Sequence, residues 1–229
     1  MKLTHLGFGW VILASVAATG SGYASPGDFN RAAFDLSGAL DHDVAPTRTA
    51  LEVVIGGGYI QGAGGAGSAG YIEDLTSAGG DIEVQLGIRA TPRFSLGVYG
   101  TYARFRHGDT LGKDGRAHGA TAGVLVTWHG RQTRSVDPWI SVGAGWRGLW
   151  LSPSGSKSGS LHGAELLRVQ LGYDYRLSPC VALSPLIGAS GGVFVVEDTA
   201  MTNKLTAVHD KKLHVYGFVG ILGRFDLGG

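Results

Sequence analysis

The sequence predicts an all-β fold, specifically an eight-stranded antiparallel up-and-down transmembrane β-barrel, and three observations point to it. Apolar and polar residues alternate with a period of two through most of the chain after residue 50. Gly fills 40 of 229 positions and charged residues supply only 16%, against about 7% and about 25% in ordinary soluble domains. The connections between alternating segments are mostly short at one end and long at the other, as in strands that run up and down through a bilayer. The same composition excludes several classes. No Gly-X-Y period runs through the chain, so it is not collagen. The net charge of +1 carries no signature of nucleic-acid binding. A single cysteine, Cys180, cannot form an internal disulfide or a zinc cluster of the usual spacing.

Residues 1–24 read as a cleaved signal peptide. Lys2 lies in a short basic start, Leu6 to Ala18 form an apolar run, and Gly22-Tyr23-Ala24 is a small-x-small cleavage site. The run is too short to span a bilayer as a helix. Its removal takes Lys2 and no acid, leaving 18 basic side chains against 18 acidic ones. Residues 25–50 lack alternation and are broken by Pro46. They read as a periplasmic leader, with room for one short helix near Phe34 to Leu40.

The barrel is expected over residues 51–227. Its strands are Leu51 to Gln61, Asp81 to Ala90, Arg93 to Phe105, Ala117 to His129, Pro138 to Leu151, His162 to Arg176, Cys180 to Val196 and Lys212 to Asp226. Each reaches the roughly 9 to 11 residues that a tilted strand needs to cross hydrocarbon. Thr91-Pro92 and Leu177 to Pro179 are tight turns. Gly62 to Gly80, Arg106 to Arg116, Ser152 to Leu161 and Glu197 to Lys211 are long, polar or Gly-rich connections, and His129 to Asp137 is longer than its end of the barrel leads one to expect.

From about residue 50 to 227 the chain resembles the eight-stranded outer-membrane β-barrel family, of the outer-membrane protein A and X type. The residues that carry the resemblance are the strand pattern, the stretch LGYDYRLSP (Leu171 to Pro179) of the kind found at a periplasmic turn, and the closing strand. In that strand Leu213, Val215, Val219, Ile221 and Phe225 share one face, although Asp226-Leu227-Gly228-Gly229 follow where the family usually ends on an aromatic residue. The resemblance implies an outer-membrane location, lipids and the barrel assembly machinery as partners, a monomer, and extracellular loops open to a ligand.

The apolar faces end in aromatic residues: Tyr59, Phe94, Tyr102, Trp128, Trp146, Trp150, Tyr173, Tyr175 and Phe225. Such rings favour the membrane interface, so these faces are assigned to lipid. By parity Glu52, Glu83, Arg89, Arg147, Arg168, Asp174 and Arg224 point inward, and charges in a narrow lumen must be paired to offset desolvation. Glu52 is expected between Arg89 and Arg224 at the short-turn end, with Glu83, Arg147 and Arg168 in a separate cluster nearer the other leaflet. A gate or proton path is the functional alternative for these groups. Cys180 is expected to pack at the start of its strand.

Three motifs invite a chemical reading. Val53 to Ile60 resembles a dinucleotide fingerprint, but Gln61 stands at the third glycine position and no helix start follows to cradle pyrophosphate. His107, Asp109, Asp114 and His118 have no spacing that favours a metal and read as a solvated loop. None of the eight histidines has Ser two positions on. A histidine-activated serine would need residues distant in sequence, such as His162 or His214 with Ser141 or Ser190. The expectation is therefore a non-enzymatic barrel without cofactor or metal, serving envelope integrity or surface contact. The rivals are a lipid-modifying hydrolase in the barrel wall and a soluble lipocalin-like barrel.

Overall fold

The computed structural model describes residues 50–130, 136–155, 158–199 and 205–227. The reading of residues 1–24 as a signal peptide, that of residues 25–50 as a leader with a short helix (except Ala50), and residues 228–229 lie outside the described residues. Nine strands form one antiparallel sheet: β1 (Leu51–Gly64), β2 (Thr76–Thr91), β3 (Phe94–His107), β4 (Arg116–His129), β5 (Val136–Ser152), β6 (Gly159–Ser178), β7 (Val181–Thr199), β8 (Leu205–Ala207) and β9 (Leu213–Leu227). Each long strand pairs with its neighbour in sequence. β9 pairs with both β7 and β1, and the ring is closed with eight staves. Closure leaves no free edge along the wall. The short β8 folds back on the end of β7 through Val196, Glu197 and Asp198.

Tight turns at one end follow from local chemistry. Pro92 and Arg93 join β2 to β3, where the Thr91 hydroxyl accepts the N–H groups of Arg93 and Phe94 at 3.3 and 3.1 Å. Pro179 and Cys180 join β6 to β7, and the Ser178 hydroxyl accepts the Cys180 N–H at 3.3 Å. Cys180 is exposed in this turn. It does not pack, because the strand begins one residue later than the alternation indicates.

Two further features differ from expectation at the opposite end. The strands are longer than the alternation alone shows; β6 and β7 have 20 and 19 residues. Twenty residues span about 66 Å along the strand, whereas the lipid-facing band of such barrels is about 25 Å tall, so the β6–β7 hairpin rises beyond it. The long connections are also folded rather than simply solvated. A 3₁₀ turn (Gly67–Ala69), a single helical turn α1 (Ile72–Leu75) and a second 3₁₀ turn (Asp109–Leu111) bring Ala66, Ile72, Leu75, Leu111 and Val208 into one buried apolar cluster. Alternation cannot reveal such residues, because burial under a loop has no period. The Gly-rich run after Val53 continues β1 to Gly64, and the only α-helix in the connection that follows is the four-residue α1.

The sheet separates its faces cleanly. Leu51, Ile55, Ile82, Leu86, Ile88, Leu96, Val98, Val124, Val126, Ile187, Val219 and Ile221 are exposed outside, while charged, amide and hydroxyl groups are buried inside. This reverses the usual distribution of a soluble protein and suits a hydrocarbon surround. Of the expected aromatic caps, Tyr59, Phe94, Tyr102, Trp128, Trp146, Tyr173 and Phe225 are exposed among these residues. Glycines make room on the inner face. A Cβ at Gly172 would lie 2.5 Å from the Trp139 ring, and one at Gly188 would lie 2.4 Å from the Phe218 ring.

Candidate functional site: the charged lumen

Seven lumenal charges anticipated by parity are all buried, at 5% exposure or less, and they fall into two groups. Near the short turns, Arg89 Nη2 donates to Glu52 Oε2 at 2.9 Å, and Arg224 Nη1 pairs with the other Glu52 oxygen. Arg224 Nε lies 3.0 Å from Asp174 Oδ2. The register explains the grouping. Val54 on β1 faces Arg224 on β9, and the Arg89 N–H bonds to the carbonyl of Ala50 just before β1. Glu52 thus sits between two guanidinium groups, which hold its carboxylate in a fixed orientation.

The second group surrounds Glu83 and Glu165. Arg168 Nη2 lies 2.6 Å from Glu83 Oε2, and Gln85 and Gln170 donate to the same carboxylate at 2.7 and 3.0 Å. Arg147 and the Tyr99 hydroxyl both bond to Glu165, with Arg168 Nη1 at 3.6 Å. Arg147 also donates to Ser190 Oγ at 2.6 Å. Guanidinium planes lie over aromatic faces: Arg147 over Tyr216 at 4.3 Å and Arg168 over Phe218 at 4.2 Å. Cation–π contacts of this kind strengthen when desolvated.

Several members of the network lie outside the seven residues anticipated from the sequence. Glu165 is the clearest. From Leu167 to Arg176 the even positions face inward, which would turn an odd residue outward. A bulge between Glu165 and Leu167 resets the phase, leaving Leu166 and Leu167 both exposed and Glu165 buried. Arg176 and Asp226 pair at 3.0 Å; both have inward parity, Asp226 as the last residue of its expected strand. His129 and Asp137 meet at 2.9 Å where β4 and β5 connect, beside the segment 131–135 that is not described.

His129, Asp137 and Asp174 form the one group among the described residues that could hold a metal, with potential ligand atoms within 4.8 Å of one another. The surroundings do not fit a cation. Arg224 is already on Asp174, and the Ser184 hydroxyl donates to that carboxylate at 2.5 Å, so the trio belongs to the ion-pair network. His107, Asp109, Asp114 and His118 are not gathered into such a group; His118 faces outward and stacks on Trp150 at 5.6 Å.

The serine–histidine combinations weighed from sequence are separated by other partners. Ser141 Oγ accepts from Thr127 at 3.0 Å, and Ser190 accepts from Arg147. His214 stacks on Phe194 at 4.2 Å. A different pair does form: Ser160 Oγ lies 2.9 Å from His162 Nε2. Its order along the chain, Ser before His, hides it from a search for Ser two positions after His. His162 is stacked on Trp146 at 5.0 Å, and its Nδ1 has no hydrogen-bond partner among the described residues, so no third group that would orient the base as in nucleophilic serine sites is found among them.

Among the described residues, the cavities beside the lumenal charges are small: about 20 Å³ beside Arg147 and Tyr216, and about 10 Å³ beside Glu83 and Phe218, each no larger than water scale.

Compared with solved structures, the chain is similar to neisserial surface protein A, with a TM-score of 0.52 and 15% identity over 79% of this chain and 100% of that one. The fold is that of an eight-stranded outer-membrane barrel. The outer membrane protein OprG of Pseudomonas aeruginosa aligns at a TM-score of 0.46 and 12% identity, covering 78% of this chain and 97% of that one. The attachment invasion locus protein Ail of Yersinia pestis aligns at 0.40 and 18%, covering 77% and 99%. No family model matches the sequence, and no curated protein matches it.

Proposed function

We propose that this chain is a non-enzymatic integral protein of the bacterial outer membrane that serves envelope integrity or surface contact through its long-loop end. The observation that supports the reading is the charged lumen: paired guanidinium and carboxylate groups occupy it from the short turns to the middle, and an apolar cluster packs toward the long-loop end. Such filling disfavours a solute pathway. What faces water is the folded loop end, with Lys113 and Asp114 exposed at its rim. The short turns face the periplasm in this reading, and the chain works as a monomer among outer-membrane lipids.

Labelling of intact cells with a membrane-impermeant maleimide tests it. Cys180 is exposed at the short-turn end, so the native chain should stay unlabelled until the outer membrane is permeabilised. A Lys113→Cys chain should label at once in intact cells. Immediate labelling of Cys180 in intact cells would overturn the orientation.

The Ser160–His162 contact favours a second reading, a lipid-modifying hydrolase at the barrel wall. Release of fatty acid from lipid A or phospholipid by the folded protein, abolished by Ser160→Ala, would put this reading first. On the non-enzymatic account no release occurs.

A further inference from the structure

The outward face carries a feature that the lumen does not explain. A cleft of about 540 Å³ opens on the barrel wall near the long-loop end, lined by Tyr59, Ala78, Gly79, Gly80, Arg104 and Arg106. The depression is open to the surroundings of the wall, so it suits part of a larger molecule lying along that face. Tyr59, Gly80 and Arg104 lie in one register row across β1, β2 and β3. Gly80 is exposed and forms the floor, with only the Gly58 carbonyl, 3.7 Å away, near the place a Cβ would take. Tyr59 forms one wall and is held by a hydrogen bond from its hydroxyl to Gln61 at 2.8 Å. Arg104 and Arg106 form the other.

Every arginine of the lumenal network is paired with a carboxylate, whereas Arg104 and Arg106 have no carboxylate partner among the described residues. Two unneutralised guanidinium groups two residues apart on one strand face make a site for an anion with several oxygens, and phosphate suits their forked donors. The surface below the cleft decides what carries that phosphate. Ile55 and Ile82 continue the outward face toward the middle of the wall, both exposed, so the anion must be joined to apolar chains. The volume also leaves room for a sugar beside the phosphate, against the Tyr59 ring.

We propose that this cleft binds the phosphorylated sugar headgroup of an outer-leaflet glycolipid, with Arg104 and Arg106 on the phosphate, Tyr59 against the sugar and the Ile55–Ile82 stripe along the acyl chains. The inference rests on the membrane reading given above.

The full chain in detergent micelles, with folding checked by heat-modifiable gel mobility, is mixed with bis-phosphorylated lipid A, and bound lipid is counted by native mass spectrometry. Dephosphorylated lipid A, phosphatidylglycerol and inorganic phosphate are run in parallel. The wild type should retain bis-phosphorylated lipid A at least tenfold more than the other three. Arg104→Gln with Arg106→Gln should abolish that preference, and Gly80→Leu, which fills the floor while keeping both guanidinium groups, should abolish retention. Equal retention of dephosphorylated lipid A, stronger retention of phosphatidylglycerol, binding of inorganic phosphate alone, or unchanged retention in Gly80→Leu would each overturn the proposal. A chain that shows no heat-modifiable shift and stays soluble without detergent would instead overturn the membrane reading, independently of the cleft.

Discussion

Glu52 shows why the lumen is expensive to disturb one residue at a time. Its carboxylate is 3% exposed and meets two guanidinium groups, each of which has a second acid nearby, Asp226 at 3.6 Å from Arg89 and Asp174 at 3.0 Å from Arg224. Replacing Glu52 by Gln leaves positive charge buried with only those second acids. We expect a loss of about 3 kcal/mol, at the lower end for a broken buried pair because both arginines keep a partner. Replacing Glu52 and Arg224 together by Leu should cost at least as much, since Arg89 then keeps only Asp226 at 3.6 Å and Asp174 loses its guanidinium. Urea unfolding in lipid vesicles, read by gel mobility, compares the two variants. Glu165 should be more sensitive still, because Tyr99, Arg147 and Arg168 all converge on it. Glu165→Leu should exceed Glu52→Gln in the same assay. The contrast between these two glutamates also shows what is legible in a sequence. Glu52 lies in an unbroken alternation that continues through Val54 to Gly56, so its direction can be read. Glu165 sits beside a one-residue slip, and a slip of that size has no mark in the residues around it beyond two adjacent leucines.

At the scale of elements, the strands are the legible part and the loops are not. Period-two alternation places Ile82, Val84, Leu86 and Ile88 on one face of β2 because neighbouring side chains must point oppositely, and a lipid surround rewards the apolar set. Depth then sets the cost of charge. Val124, 58% exposed on β4, should lose about 2–4 kcal/mol on replacement by Arg if it lies near the midplane, whereas Gln61→Arg near the rim should cost no more than about 1 kcal/mol. Equal costs in the vesicle unfolding assay would show that the outer face does not meet a graded bilayer. The loops obey a different rule, because their apolar residues are chosen by what lies beneath them. Ile72 on α1 is fully buried and would contact any Cβ placed at Gly62. Ile72→Ala should loosen this end locally, with about 2–4 kcal/mol lost from a buried contact of this size. Limited proteolysis should then cut between residues 65 and 75 faster, while the barrel keeps its gel mobility. A chain that resists protease equally in both forms would mean that the cluster does not hold the loop.

For the whole molecule, the closed sheet, the apolar exterior and the filled interior form one arrangement. Eight strands enclose a lumen just wide enough for side chains, and here those side chains include ion pairs, amides and rings. The membrane supplies the solvent for the outside, and the paired charges replace water on the inside. Single-channel recording from the folded protein in planar lipid bilayers tests that arrangement most directly. The account predicts an inserted protein with no discrete conductance steps at any applied voltage. Stable, reproducible ion-conducting openings from protein of verified folded mobility would contradict it, because they would require the Glu52 and Glu165 networks to stand apart.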